Sequence, residues 1–396
     1  MKPAHKQYMC KCVRTGQLGV CATRFLLMNI PTSNRQTFQI NRKLSFMKIR
    51  STILILFTLG FAFQAEAQDP QFSQFYNSPL QLNPAMAGVH PGKWRVIANY
   101  REQWNSILDT RPFRSMSASF DARSKVGRGD FIAYGVTALR DQAGKSSYLR
   151  QTADFTLSYM KQLDGSRYRG YDQYLIGGVQ AGIGQHSINY QNLWFSTQFD
   201  NTTELVDRTL SNGETLDETS GIYANINAGL LWYAVFEDNK SLYIGGSLHH
   251  VNAPKVSFNS SDGEESLDTK WVAHAGGEIP FNHNFSLLPA VVVMGQGPSM
   301  QSIFGLNFRY TNRDWQELAI RTGAWGHLVK DLNKSMAMPA VTFTAILEVE
   351  RWNFGISYDV NANQLSAPTN GRGAFELSLI YYQPATRKEK VNCPKL

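Results

Sequence analysis

The fold class predicted by the sequence is all-β: a transmembrane antiparallel β-barrel of about 14 strands, preceded by an extended N-terminal segment that acts as a periplasmic strap or plug. Three observations predict it. An apolar/polar alternation of period two recurs from about residue 93 to residue 383, with no helical stretch of comparable strength. Many of these segments run to ten or more residues, whereas strands of soluble proteins centre on roughly 5–6 and a tilted membrane strand needs roughly 9–11. The connections tend to alternate between tight and long, as periplasmic turns and external loops do in bacterial barrels.

The chain opens with residues 1–46, which carry Lys2, Lys6, Lys11, Arg14, Arg24, Arg35, Arg42 and Lys43, no acid, and three of the four cysteines. Residues 47–67 then read "MKIRSTILILFTLGFAFQAEA", with Lys48 and Arg50 as a charged head, Ile53 to Phe63 as an apolar run and Ala65-Glu66-Ala67 as a small-residue cleavage site. This is the pattern of a secretory signal peptide. A membrane anchor fits less well, because the run falls short of the roughly 20 apolar residues of a spanning helix. Met47 is therefore the expected start, residues 1–46 a mis-assigned upstream extension rather than a genuine basic leader, and Gln68 the first residue after export.

The charge balance changes accordingly. Residues 1–67 hold ten of the 39 Lys and Arg and one of the 31 acids, so the exported part has 29 bases against 30 acids. The basic excess disappears, and with no Lys/Arg stripe interleaved with aromatics the sequence lacks the footprint of a nucleic-acid binder. Only Cys393 remains of the cysteines, which excludes an internal disulfide framework.

Residues 68–92 read "QDPQFSQFYNSPLQLNPAMAGVHPG". Pro70, Pro79, Pro84 and Pro91 remove backbone donors, which predicts neither helix nor central strand but an ordered, extended run with turns at Asn83-Pro84 and His90-Pro91-Gly92. Phe72, Phe75, Tyr76 and Leu80 need burial and are too few for a core of their own. They are expected to pack at the periplasmic mouth of the barrel or inside its lumen.

The barrel is expected over 93–383, as one domain without a linker. Its strands are predicted near 93–104, 114–123, 131–140, 149–161, 173–186, 220–236, 240–251, 270–281, 284–295, 301–312, 315–327, 338–350, 352–361 and 373–383. In the sixth, Ile222, Ala224, Ile226, Ala228, Leu230 and Trp232 alternate with Tyr223, Asn225, Asn227 and Gly229; in the fourth, Ala153, Phe155, Leu157 and Tyr159 alternate with Thr152, Asp154, Thr156 and Ser158. The polar face, heavy in Gly, Ser, Asn and Thr and including Arg95, Arg101, Asp121, Arg309 and Glu348, reads as a narrow or filled interior. The other face keeps Trp94, Tyr100, Trp104, Tyr159, Tyr310, Trp352 and Tyr381 near strand ends, as interfacial girdles require. With both termini periplasmic, tight turns are expected around Glu237-Asp238-Asn239, Arg313-Asp314 and Arg351 and external loops at 187–219 and 252–269. The stretch 162–172 is long for a periplasmic turn. Residues 384–396 form a charged tail with the lone Cys393, expected to hang in the periplasm.

Catalytic chemistry finds no support. His90, His186, His249, His250, His274, His283 and His327 lie in no G-x-S-x-G, H-E-x-x-H or Cys/His setting, and although His249 and His274 sit on neighbouring segments, a hydrogen-bonded filler is the simpler reading. Gly177-Gly178 and Gly182-x-Gly184 precede no helix that would present a phosphate site, and serve crowded strands instead. The acidic stretch "SSDGEESLD" at 260–268 lacks the oxygen spacing of a calcium loop. No cofactor and no metal is expected.

The opening segment, followed by "WRVIANYREQWNSI" and "SMSASFDA", closely resembles the PorP/SprF family of type IX secretion system membrane proteins. In that family FSQFY is followed by a Pro, then NPA and a Gly, then a first strand containing N-Y-R-x-Q-W. The matching residues are Phe72, Ser73, Gln74, Phe75, Tyr76, Pro79, Asn83, Pro84, Ala85, Gly88, Asn99, Tyr100, Arg101, Gln103 and Trp104. The resemblance implies a non-enzymatic outer-membrane barrel of the type IX secretion and gliding machinery, serving export or surface attachment of large adhesins and contacting the periplasmic secretion ring. It makes Phe72, Gln74, Phe75, Tyr76, Pro79, Asn83, Pro84 and Gly88 the candidate partner-binding residues. The competing function is a general diffusion porin.

Overall fold

Each of the fourteen alternating segments forms a strand. A computed structural model describes residues 69–396 apart from 109–111, 128, 145–146, 167–170, 191–192, 212–216, 237–239, 259–264, 313–317, 331–335, 364–365, 386–392 and 395–396. The expected upstream extension and signal peptide, the turns expected at Glu237-Asp238-Asn239 and Arg313-Asp314, and most of the acidic stretch lie outside the described residues.

The strands are β1 Gly92–Gln103, β2 Phe113–Val126, β3 Asp130–Ala143, β4 Tyr148–Ser166, β5 Tyr171–Ser187, β6 Tyr223–Val235, β7 Ser241–His249, β8 Lys270–Pro280, β9 Phe285–Gln296, β10 Ser299–Thr311, β11 Leu318–Lys330, β12 Ala340–Val349, β13 Trp352–Asn361 and β14 Arg372–Pro384. Every sequential pair is antiparallel, and β14 returns to β1 with Ile97 opposite Ile380 and Ala98 opposite Leu379. The sheet closes, so no edge is left to bond elsewhere.

Alternation sorts the side chains as expected. Along β6, Ala224, Ile226 and Leu230 face outward and exposed, while Tyr223, Asn225 and Asn227 are buried inside. The outward apolar surface continues around the wall through residues such as Phe155, Val179, Ile183, Ile244, Phe343 and Ile356. An apolar belt of that extent needs lipid rather than water against it. Among the described residues no helix is long and apolar enough to cross a membrane; the strands cross it. At one end Trp94, Tyr381 and Trp352 pack as tilted neighbours, with centroids 5.2 Å and 4.7 Å apart, as part of an interfacial girdle.

The two ends of the barrel differ. At one end the strands β2 and β3, β4 and β5, β6 and β7, β8 and β9, β10 and β11, and β12 and β13 are separated by at most six residues of sequence. At the other end run 104–112, 188–222, 250–269, 331–339 and 362–371, together with two tight links at 144–147 and 297–298. The overlong turn expected at 162–172 is absent: β4 and β5 continue their ladder beyond Lys161, through Gln162 opposite Tyr174 to Ser166 opposite Tyr171.

Residues 69–91 occupy the lumen, one of the two places expected for them, but depart from the expected extended run. Helix is present, as a 3-10 turn at Phe75–Asn77, a one-turn α-helix at Pro79–Leu82 and a second 3-10 turn at Pro84–Met86. Pro79 and Pro84 open their turns, where the missing N–H has no partner to lose and the fixed φ favours the helix. The segment also runs the length of the lumen. Asp69 lies at the long-connection end, beside the first residues of β4 and β8, and His90 lies at the short-turn end, where β1 begins.

Candidate functional site

The lumenal segment is the feature that the rest of the barrel is built around. All eight residues singled out in the sequence are buried: Phe72, Gln74, Phe75, Tyr76, Pro79, Asn83, Pro84 and Gly88. They are brought together not as an exposed face but as one continuous filling of the barrel.

Three polar anchors hold it. At the long-connection end the Asp69 carboxylate takes Arg150 Nη1 at 2.5 Å and Gln296 Nε2 at 3.2 Å on one oxygen, and His250 Nε2 at 2.9 Å on the other, with Lys270 Nζ at 3.8 Å. Burial alone would raise this carboxyl, but Arg150, Lys270 and His250 outweigh it and hold it well below the usual carboxylate range.

One turn further in, Glu376 of β14 accepts the backbone N–H of Ser73 at 2.8 Å and of Gln74 at 3.0 Å. Arg101 of β1 bridges Glu376 and Asp359, and Ser73 Oγ donates to Asp359 at 2.9 Å. Gln74 and Asn77 continue the network to Ser357 and Ser378. A buried backbone turn thereby finds acceptors and donors on the wall that its own irregular path cannot supply.

At the short-turn end Gly88 N–H donates to Asp121 Oδ2 at 2.8 Å, and Arg95 binds the same carboxylate with Nε and Nη2, each at 2.9 Å. His90 stands 3.5 Å from Asp121, but burial pushes its imidazole down to about 3, so the ring is neutral and Arg95 carries the pairing. Arg123 Nη1 donates to the Gly88 carbonyl at 2.8 Å and to the His90 carbonyl. Gly88 has φ +78°, and a Cβ there would meet Ala133 Cβ at 2.5 Å, so both the conformation and the space call for glycine.

Apolar packing fills the remainder. Phe75 and Tyr76 close on the inward Trp325 of β11, with centroids 5.3 Å and 5.2 Å away. Leu82, Ala85, Met86 and Val89 join them against Met160, Ile176, Leu231, Val292, Ile303 and Ile346 of the wall. The interior is therefore not only the Gly, Ser, Asn and Thr surface expected; it has an apolar side that fits the segment. Each fully buried aromatic or large aliphatic side chain contributes roughly 1.5–3 kcal/mol.

Wall glycines and histidines serve the same end. A Cβ on Gly178 would fall on Pro84 and Ala85, and one on Gly229 on the Asn83 side chain. Asn83 caps its turn by accepting from Ala85 N at 2.8 Å and reaches Leu230 O at 3.0 Å and His274 Nε2 at 3.0 Å. His249 Nε2 lies 3.1 Å from Ser247 Oγ, but that hydroxyl donates to Leu82 O at 2.7 Å, so the pair holds the segment. Among the described residues no three His, Cys, Asp or Glu side chains are grouped to hold a metal ion.

Arg123, Arg150, Lys270, His250, Asp359, Glu376 and Trp325 escaped the sequence reading as anchors. The signal was there in part: each of the six on strands sits on the polar register of its strand, where a Trp or an acid is conspicuous. The tail also differs from a free end. Cys393 Sγ donates to the His90 carbonyl at 3.3 Å and lies 3.8 Å from Tyr233 Oη, and Pro394 is buried.

The family model described as type IX secretion system membrane protein PorP/SprF matches residues 64–381. No curated protein matches the sequence. Among solved structures, the chain is similar to CdiB from Acinetobacter baumannii at 6% identity, covering 73% of this chain and 60% of that one, with a TM-score of 0.41. It is also similar to the TodX monoaromatic hydrocarbon channel at 10% identity, covering 77% and 92%, with a TM-score of 0.38. The translocator domain of autotransporter NalP from Neisseria meningitidis is 12% identical, with 88% and 99% covered and a TM-score of 0.31.

Proposed function

The chain belongs to the PorP/SprF family of type IX secretion system membrane proteins, and from that premise we propose that it is a non-enzymatic outer-membrane component of this machinery, exported by its signal peptide. In this reading it supports export or surface attachment of large adhesin-like proteins and contacts the periplasmic secretion ring, with the short-turn end in the periplasm. The observation that carries the reading beyond the family is the occupied lumen. A diffusion porin keeps a hydrated channel, whereas here residues 69–91 thread the barrel and bury Phe75, Tyr76, Leu80 and Met86 at 4% exposure or less.

The eight candidate docking residues act as a plug in this state. Contact between them and a secretion partner then requires the segment to leave the lumen. The test pairs two measurements: the purified barrel in a planar bilayer is expected to be closed, and to copurify with secretion-ring proteins from native membranes. Steady porin-like conductance of the intact chain, without copurifying ring proteins, would overturn the reading in favour of the porin.

A further inference from the structure

The anchor at the long-connection end is more elaborate than a single aspartate requires. Arg150 is the third residue of β4, His250 follows β7, Lys270 opens β8 and Gln296 closes β9, so four separate strand ends converge on one carboxylate. The carboxylate is read together with the backbone beside it, because Asp69 N–H donates to Gln296 Oε1 at 2.9 Å while Gln296 Nε2 returns to the carboxylate at 3.2 Å.

Among the described residues neither neighbouring wall acid, Asp141 nor Asp154, forms an ion pair with these cations. Asp141 Oδ1 is taken by Ser115 Oγ at 2.5 Å and Asp154 Oδ1 by Asn225 Nδ2 at 3.4 Å. His250 is oriented by a second bond, its Nδ1 lying 2.7 Å from Asn225 Oδ1, so its Nε2 is held toward Asp69. Arg150 and His250 are buried, with side chains 7% and 3% exposed, and Lys270 is 12% exposed. Arg150 and Lys270, two cations this well buried, need an anion between them.

We propose that Arg150, His250, Lys270 and Gln296 form a carboxylate-binding site for an acidic residue in an extended peptide, occupied in cis by Asp69 and available to an acidic residue of another chain when Asp69 vacates it. The backbone reading by Gln296 selects a peptide over a free carboxylate, and the position at the mouth lets the first residues of the segment peel away while the Glu376 and Asp121 anchors keep the remainder in place.

The test uses the full exported chain in detergent micelles and follows the temperature-dependent gel-mobility shift of the barrel. Asp69→Ala is expected to unfold about tenfold faster than the parent at a fixed temperature, the scale of lost hydrogen bonds to a charged group. N-acetyl-Asp-Pro-amide should reverse this saturably, and acetate should do so only at higher concentration. N-acetyl-Asn-Pro-amide, sodium chloride at matched ionic strength, and the Asp69→Ala/Arg150→Gln double variant should give no reversal. Asp69→Asn, which keeps the site filled, should be labile and blind to the peptide. Equal effects of the Asp and Asn peptides, or an Asp69→Asn barrel as stable as the parent, would overturn the proposal. None of these readouts involves a secretion partner, so their failure leaves the proposed role in secretion standing.

Discussion

Phe75 meets Trp325 edge-on, with centroids 5.3 Å apart and ring planes at 88°. The two residues lie on opposite sides of the fold's main division, one in the lumenal segment and one on the wall, and both are at most 3% exposed. Removing either ring leaves a cavity that a closed barrel cannot collapse to fill. Phe75→Ala and Trp325→Ala are each expected to destabilise the folded state by about 3–5 kcal/mol. The double variant should fall short of the sum by about 0.5–1.5 kcal/mol, the scale of an aromatic pair. Urea unfolding of the four proteins, followed by tryptophan fluorescence where Trp325 is kept and by gel mobility throughout, gives the cycle. Strict additivity would show that the segment does not rest on Trp325 in solution.

Asp121 links wall and segment by a different chemistry. It is fully buried, and its carboxylate receives both Arg95 and the Gly88 N–H. Asp121→Ala leaves Arg95 as an uncompensated buried cation, a change that costs about 3–5 kcal/mol. Arg114→Ala breaks a pair whose arginine side chain is 46% exposed, and exposed pairs contribute about 0–1 kcal/mol. The midpoint of the heat-dependent mobility shift should therefore drop sharply in the first variant and hardly move in the second.

Much of this fold could be read in the sequence, and the part that could not has a physical reason. Period two marked the wall because lipid and lumen impose opposite demands on successive side chains; Phe155 and Thr156 already differ in kind. The same rule sent Arg95, Arg101 and Asp121 inward. It could not pair them, because Arg101 reaches Asp359 and Glu376 across more than 250 residues of chain. Nor could it set the direction of residues 69–91, since prolines and aromatics state that a segment is ordered and buried without stating which end of a tube it enters. Pro79 and Pro84 misled for a local reason: proline excludes the helix interior but suits its first position.

Asp69 makes stability depend on acid. Its folded carboxyl lies below the ordinary value of 3.8 because Arg150, Lys270 and His250 outweigh its burial. A group with a depressed folded pKa contributes stability that is complete above its unfolded pKa and is lost as pH falls through the folded one. The difference in stability between the parent and Asp69→Asn is thus expected to be constant above about pH 5 and to shrink steadily below pH 4. A difference that grew on acidification would mean that Asp69 is not held ionised.

Sidedness follows from the unequal ends. In a Cys393→Ser background, cysteine at Ser211, in the 188–222 connection, should react in whole cells with a membrane-impermeant maleimide. Cysteine at Arg351, in the 350–351 turn, should react only after the outer membrane is breached. The native Cys393, packed against the His90 carbonyl and Tyr233, should react slowly in the folded barrel and rapidly after denaturation. Reversed labelling of 211 and 351 would invert the barrel in its membrane.

The double substitution Phe72→Ala with Tyr76→Ala separates the wall from what fills it. Both side chains are buried, at 2% and 4% exposure, and neither belongs to a strand. The ladders of β1 to β14, including the closing pairing of β14 with β1, are untouched by the change. Loss of two buried aromatics weakens the seating of the segment by roughly 3–6 kcal/mol, taking roughly 1.5–3 for each, while the polar anchors at Asp69, Glu376 and Asp121 remain. The expected protein is a heat-modifiable barrel present in the membrane at normal amounts, with a leakier lumen in bilayer recordings and reduced surface display of the adhesin-like protein proposed as its client. Normal display would limit the segment to sealing the barrel. Failure to assemble would make it part of the folding core, because the apolar side of the lumen, from Ile176 through Ile346, would then need these rings before the sheet can close.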